Sequence, residues 1–234
     1  VSDQVIAVIP AAGSGTRMGS SRPKQFMDLC GKPMLAVTLE RFQKCDLVDG
    51  IVVVVSEQNI AYCTSEIVER YGLTKVTTVV PGGQSRQESV RNGIGAVSDS
   101  STRILIHDGA RPLVTAELIE RVVKASWRYR AVIPGIPLKD TLKEIDSQGR
   151  VVKTVERGAL WVIQTPQIFQ GEDIRAAHEK AREEDWEGVT DDAFLIEKMG
   201  IPVDVIEGED TNIKITTMKD LDLARSFLSV SHEH

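Results

Sequence analysis

A chain of 234 residues with 41% hydrophobic and 26% charged residues has the make-up of an ordinary globular protein, which excludes disorder over most of its length. Its net charge of −6 argues against a broad nucleic-acid surface but leaves room for small anions held by local positive charge. No apolar run approaches the ~18 to 20 residues that a membrane span needs.

Taken in chain order, Val1 to Gln4 lacks a basic segment leading into an apolar core, so no secretory signal is expected. Val5 to Ile9 reads as a strand that runs into a small-residue loop, Pro10 to Lys24. Cys30, Cys45 and Cys63 show no C-x-x-C spacing. They read as free thiols of a reducing compartment, which points to the cytoplasm. Leu35, Leu39 and Phe42 share one helical face. Strands follow at Ile51 to Val55 and Val76 to Val80, and the turn Pro81-Gly82-Gly83 leads into Ser85-Arg86-Gln87-Glu88, a capping box. That box opens a helix carrying Val90, Ile94 and Val97 on one face.

Ile104 to Ile106 is the next strand, then a stripe of Leu118, Ile119, Val122 and Val123, then a strand at Ala131 to Ile133. This βα alternation predicts an α/β fold with a doubly wound, mostly parallel sheet, as a single domain over 1–234. In such sheets ligands bind beyond the carboxyl ends of the strands. The rhythm breaks at 137–158, where Asp140 to Ile145 and Arg150 to Val155 flank the turn Asp146-Ser147-Gln148-Gly149. With only Leu142, Ile145, Val151, Val152 and Val155 to bury, this hairpin is marginal alone. It is expected either to project as an arm against a second subunit or to lie as a plain surface hairpin. Thr217-Met218-Lys219-Asp220 is expected to cap a last helix through Leu221, Ala224 and Leu228, with Ser231 to His234 expected to fray beyond it.

The chemistry begins in the first loop. Small residues at positions 11 to 15 let backbone N–H groups approach an anion, and Arg17 and Lys24 add positive charge there. A dinucleotide fingerprint needs a third glycine where Met18 stands. A Walker loop needs Ser or Thr after Gly31-Lys32, where Pro33 stands. A nucleotidyltransferase loop remains. A tight turn using glycine for its backbone freedom is the plain alternative, but it does not account for Arg17 and Pro23-Lys24. Further on, His107-Asp108-Gly109-Ala110-Arg111 ends a strand with a carboxylate and a guanidinium. Asp108 suits a ribose or a metal, Arg111 suits Asp108 or a phosphate, and His107, facing the other way, suits packing.

These motifs resemble the 2-C-methyl-D-erythritol 4-phosphate cytidylyltransferase family of non-mevalonate isoprenoid biosynthesis. The resemblance runs through Pro10-Ala11-Ala12-Gly13, Pro23-Lys24-Gln25, Gly82-Gly83 with Arg86 and Ser89, and the turn from His107 to Pro112. It continues in Lys139-Asp140-Thr141, Thr154 to Arg157, Gln164 to Gln167, Thr190-Asp191-Asp192 and Asn212-Ile213-Lys214. It implies a Rossmann-like nucleotidyltransferase fold and a homodimer joined through the 137–158 arm. CTP would be held by Ala11, Ala12, Gly13, Gly15, Arg17, Lys24, Gly83, Ser89, Asp108 and Gly109. The acceptor, methylerythritol phosphate, would be held by Asp108, Arg111, Thr141, Arg157, Thr165, Thr190 and Lys214, with Thr141 and Arg157 serving the neighbouring subunit's site. Arg17, Lys24 and Lys214 would be catalytic. Mg²⁺ would be held mainly by the triphosphate, with no protein metal ligands.

The chain departs from the common pattern at Thr16, where many relatives have a second basic residue, and at Gln84, where Asp is common. Ribitol 5-phosphate cytidylyltransferases carry Ala-Gly-Gly and Ser-Val where this chain has Ala11-Ala12-Gly13 and Gly109-Ala110. Two other readings stand further off: a sugar-1-phosphate uridylyl- or guanylyltransferase, and a nucleotide-binding regulator without turnover.

Overall fold

The computed structural model describes residues 4–13, 23–98 and 102–230. Strand β1 (Val5–Pro10) is followed by a 3-10 turn at Lys24–Phe26 and two short strands, β2 (Asp28–Leu29) and β3 (Lys32–Pro33). Helix α1 (Met34–Gln43), strand β4 (Gly50–Val55) and α2 (Ile60–Tyr62), which runs on into a π-helical stretch, come next. Then follow β5 (Val76–Pro81), α3 (Arg86–Gly95), β6 (Arg103–Ile106), α4 (Ala116–Ser126) and β7 (Ala131–Pro137). The chain ends with β8 (Lys143–Ile145), β9 (Val151–Thr154), β10 (Trp161–Ile163), β11 (Gln167–Gln170), α5 (Gly171–Glu183), α6 (Asp192–Lys198), β12 (Asp204–Glu207) and α7 (Met218–Val230).

The continuous apolar runs become strands covered on both faces. Every residue of β4 is buried, and alternation sends Ile51, Val53 and Val55 to one core and Val52 and Val54 to the other. β1 divides in the same way, with Ala7 and Ile9 on the side of α1 and α4 and Val8 on the side of α3 and α5. Gly93 lets α3 lie close against the sheet, since a Cβ there would come within 2.5 Å of Val8 and 2.7 Å of Val54. Both predicted caps form. Ser85 Oγ accepts from Glu88 N, while the Glu88 carboxylate reaches back to Gln84 N. Thr217 and Asp220 bond each other's backbone N–H groups at the start of α7.

β1 pairs in parallel with β4 on one side and β6 on the other, and β4 pairs in parallel with β5. The chain thus builds outward through β4 and β5, then returns across β1 to lay down β6. A sheet that reverses direction in this way opens a crevice beyond the strand ends beside β1.

Beyond β6 the sheet departs from a purely βα pattern. β11 lies antiparallel between β6 and β7, so β7 runs the same way as β6. β10 pairs antiparallel with β7, and β12 pairs with it in parallel. The hairpin is shorter than predicted: Asp140 to Leu142 stay outside β8, and β9 begins at Val151. Its strands pair only with each other, and Ile145, Val151 and Val152 are more than half exposed. Among the described residues no helix is long and apolar enough to cross a membrane.

Candidate active site

Four strands of the sheet deliver their following turns to one cleft of about 810 Å³. β1 brings Ala11, Ala12 and Gly13, β4 brings Ser56 to Gln58, β5 brings Gly82 to Arg86, and β6 brings Asp108 to Ala110. The turns are tied by backbone bonds: Ala11 N donates to Val54 O, Gly82 N to Val55 O, and Gly109 N to Pro10 O, at 2.7 to 3.1 Å. Small residues permit that closeness. A Cβ on Gly82 would stand 2.3 Å from the Ala12 Cβ, and one on Gly109 would stand 3.0 Å from that of Ala11. Ser89, predicted to lie beside the base, lines the cleft with its hydroxyl accepting from Gly83 N and donating to Ser85 O.

Lys24 and Lys214 enter this cleft from opposite ends of the sequence. Pro23 (φ −55°) leads into the 3-10 turn, and Lys24 Nζ lies 3.4 Å from Ile215 O. The C-terminal strap is pinned to the β6 turn by Ile215 N donating to Ala110 O and by Arg111 Nη1 donating to Asn212 O. This places Lys214 Nζ 2.8 Å from Asp108 Oδ2. Arg86 Nε holds the other oxygen, Oδ1, at 2.9 Å. Burial alone would push the Asp108 carboxyl up, but Arg86 and then Lys214 outweigh it and hold it well below the usual carboxylate range.

The structure reassigns several predicted partners. Arg111 does not orient Asp108: its guanidinium turns to the Asn212 carbonyl, and Arg86 and Lys214 flank the carboxylate instead. Asp108 therefore stands as a doubly ion-paired group rather than an open metal ligand. Thr165 is buried, with its hydroxyl accepting from Asp108 N and contacting His107 Nδ1 at 3.0 Å. Thr190 is exposed beside Asp191, the cap of α6. Thr141 and Arg157 lie on or beside the arm and do not line this cleft; Arg157 bonds the Lys139 carbonyl instead. Gly15 and Arg17 lie outside the described residues.

Sequence reasoning gave no site role to Arg86 or to Gln25. Gln25 lines the cleft, is 2% exposed, and has no hydrogen-bond partner on either carboxamide atom. A buried amide left unmade costs about 1–3 kcal/mol, so the position favours a ligand that offers it a donor or an acceptor.

His107 points away from the cleft, as its place on the strand implied, and packs on Phe42 with ring centroids 4.9 Å apart. Burial pushes its imidazole down from 6.5 to about 4, with Arg111 O, Asp108 and Thr165 as its polar neighbours. The unfolded chain therefore takes up this proton near pH 6.5, while the native chain resists it until about pH 4. Native stability is full above pH 6.5 and declines as pH falls through that window, by about 3 kcal/mol in total. Denaturant midpoints measured from pH 7 to 5 should fall steadily, and His107→Gln should flatten the slope. An equal slope in both proteins would remove His107 as the cause.

Among the described residues no group of three His, Cys, Asp or Glu side chains converges as a metal site. The three cysteines are free, with Cys30 exposed and Cys45 and Cys63 buried.

A family model described as 2-C-methyl-D-erythritol 4-phosphate cytidylyltransferase matches residues 5–230. A relative of that name from Syntrophus aciditrophicus is 45% identical, covering 96% of both chains. Another from Caldanaerobacter subterraneus is 44% identical, over 96% of this chain and 98% of its own. Among solved structures, a 4-diphosphocytidyl-2C-methyl-D-erythritol synthase from Anaerococcus prevotii superposes with a TM-score of 0.84 at 33% identity, covering 97% and 99% of the two chains. A 2-C-methyl-D-erythritol 4-phosphate cytidylyltransferase from Thermus thermophilus gives a TM-score of 0.77 at 34% identity, covering 96% and 98%.

Proposed function

The chain belongs to the 2-C-methyl-D-erythritol 4-phosphate cytidylyltransferase family, and on that premise we propose how its cleft carries out the transfer. The enzyme transfers CMP from CTP to 2-C-methyl-D-erythritol 4-phosphate, giving 4-diphosphocytidyl-2-C-methyl-D-erythritol and pyrophosphate. The observation that carries this reading is the crevice beside β1. It sets a floor of Ala11, Ala12, Gly13, Gly82 and Gly83 against Lys24, Arg86 and Lys214.

The nucleophile is a phosphate monoester with a second pKa of about 6, already largely ionised at neutral pH. It needs no protein base. One of its oxygens attacks the α-phosphorus of CTP in line, and the bond to the pyrophosphate oxygen breaks. Bringing two polyanions together requires positive charge fixed in advance. Lys24 and Arg17 supply it to the triphosphate, and Lys214, steered by Asp108, supplies it where the two substrates meet. Ala12, Gly13 and Gly15 offer backbone N–H groups, Ala11 keeps its side of the floor small while its own N–H is spent on Val54 O, and Gly83, Ser89 and Gly109 border the base and ribose. Thr190 completes the acceptor side, while Thr165 and Arg111 support it from behind, through Asp108 N and the Asn212 carbonyl.

Asp108 is committed to two cations, so Mg²⁺ would be held mainly by the triphosphate rather than by this carboxylate. It would supply positive charge against the leaving pyrophosphate. The exposed Leu142, Ile145, Val151 and Val152 support a homodimer in which the 137–158 arm packs on a second copy and presents Thr141 and Arg157 to it. Three free cysteines accord with a reducing, cytoplasmic setting.

The test is pyrophosphate release from CTP, UTP or GTP with Mg²⁺ and either methylerythritol phosphate or ribitol 5-phosphate. Release is expected with CTP and methylerythritol phosphate well above every other pairing. CTP binding without release on either acceptor would replace the reading with that of a nucleotide-binding regulator.

A further inference from the structure

A line of charges leads from the cleft into the interior. Beyond Asp108, Arg86 Nη1 lies 2.8 Å from Asp192 Oδ2, and His178 Nε2 lies 3.1 Å from Asp192 Oδ1. Asp192 and His178 are each 1% exposed, on α6 and α5. Burial would push the Asp192 carboxyl up, yet Arg86 and then His178 hold it down, so it stays ionised. A buried carboxylate is costly even when paired, so its presence at this position calls for a use.

Helix α6 does not supply that use. Its cap is Asp191, whose Oδ1 accepts from Phe194 N and whose Oδ2 accepts from Gln167 Nε2. Asp192 instead sits behind Arg86, whose guanidinium also reaches the cleft wall. The contact between them is close in distance but poorly aligned as a hydrogen bond, since Asp192 Oδ2 has no hydrogen-bond donor. It acts as a charge anchor.

We propose that Asp192, backed by His178, is a positioning residue for the transfer reaction: it anchors Arg86 from the buried side so that Asp108 stays in place to aim Lys214. This rests on the cytidylyl-transfer reading. Without the anchor, a bound polyphosphate competes for Arg86, Asp108 loses one of its two partners, and Lys214 loses its fixed direction. Binding of CTP persists through the backbone floor and Lys24, so the loss falls on turnover. Among the described residues Arg86 links Asp192 to the cleft, and a lysine in its place is a point charge that cannot span both carboxylates.

The test is steady-state kinetics of Asp192→Asn, Arg86→Lys and the double variant, with circular dichroism and melting curves as controls. In D192N, kcat is expected to fall about ten- to a hundred-fold, the scale of outer-shell substitutions at metal sites, with KM for CTP within about three-fold of wild type. In the R86K background the same substitution should cost little more, because the link is already broken. An undiminished kcat in D192N, or an equal loss in both backgrounds, overturns the proposal. If D192N does not fold, His178→Leu is compared with His178→Gln, whose amide can still donate to Asp192. H178L should lose turnover and H178Q recover most of it, and equal losses overturn the proposal. A wild-type enzyme that releases no pyrophosphate brings down the functional reading and this inference together, whereas an active wild type with an unaffected D192N brings down the inference alone.

Discussion

Lys24→Ala is expected to lower turnover about a thousand-fold or more while leaving the fold intact. The size follows from what the step requires. Removing a single preorganised donor from a transition-state site costs about 10² to 10³ in kcat, and here the group lost carries a full charge in a cleft that must hold two polyanions. The fold should survive because the turn is anchored elsewhere. Phe26, two residues on, is 2% exposed and packs edge-on against Tyr62 with centroids 4.9 Å apart. Lys24 itself is half-buried on the cleft wall, with its ammonium 3.4 Å from a backbone carbonyl. Pyrophosphate release and a melting curve on the same preparation check both halves. Near-wild-type turnover would remove Lys24 from the catalytic set, and a collapsed melting curve would make it a structural residue.

The second large effect is on stability. Arg86→Met should cost about 3–5 kcal/mol of unfolding free energy, the range for removing one partner of a buried ion pair. Arg86 lies between two carboxylates, with Asp108 at 2.9 Å and Asp192 at 2.8 Å, and its own side chain is 28% exposed. The Asp192 carboxylate beside it, and then that of Asp108, outweigh burial and raise its pKa. Methionine fills a similar volume but leaves both buried carboxylates without the guanidinium between them, Asp108 keeping Lys214 and Asp192 keeping His178. Adding Asp192→Asn to that variant should therefore recover part of the loss, because one of the stranded charges is gone. Surface pairs such as Lys124–Glu120, more than 40% exposed on both sides, should cost under about 1 kcal/mol by comparison. Urea titrations of the single and double variants decide this. No recovery in the double variant would mean that the cost of Arg86→Met is lost packing rather than lost charge.

Several features are legible in the sequence itself. β1, β4, β5 and β6 lie within a residue of where their apolar runs placed them, and Ser85 and Thr217 cap the helices they were expected to cap. These are signals between near neighbours in the chain, so they survive without tertiary context. β11 and β12 were not legible. Gln167-Ile168-Phe169-Gln170 and Asp204-Val205-Ile206-Glu207 each hold only two apolar residues between polar ends, too few to show a period. They become strands because β6 and β7 offer them open edges.

At the site the same division holds. Glycine spacing, the failed dinucleotide and Walker patterns, and the ordered motifs pointed to a nucleotide cleft and to Lys24, Asp108 and Lys214 around it. Arg86 stood in one of those motifs, but only as one positive residue near a turn. Its importance comes from Asp108 and Asp192 meeting it from two other places in the chain, with Lys214 joined to it through Asp108.

What the order of residues settled unaided is local: periods of two and 3.6, caps, tight turns and the small side chains that admit a phosphate. What only the folded chain decided is which distant charges meet. The return of the chain across β1 to form β6 brings Asp108 opposite Arg86, and the C-terminal strap brings Lys214 to the same carboxylate. Burial then makes those pairings strong, because charges removed from water interact through a poorly screening interior. Neither strand order nor depth is written in any short stretch of sequence.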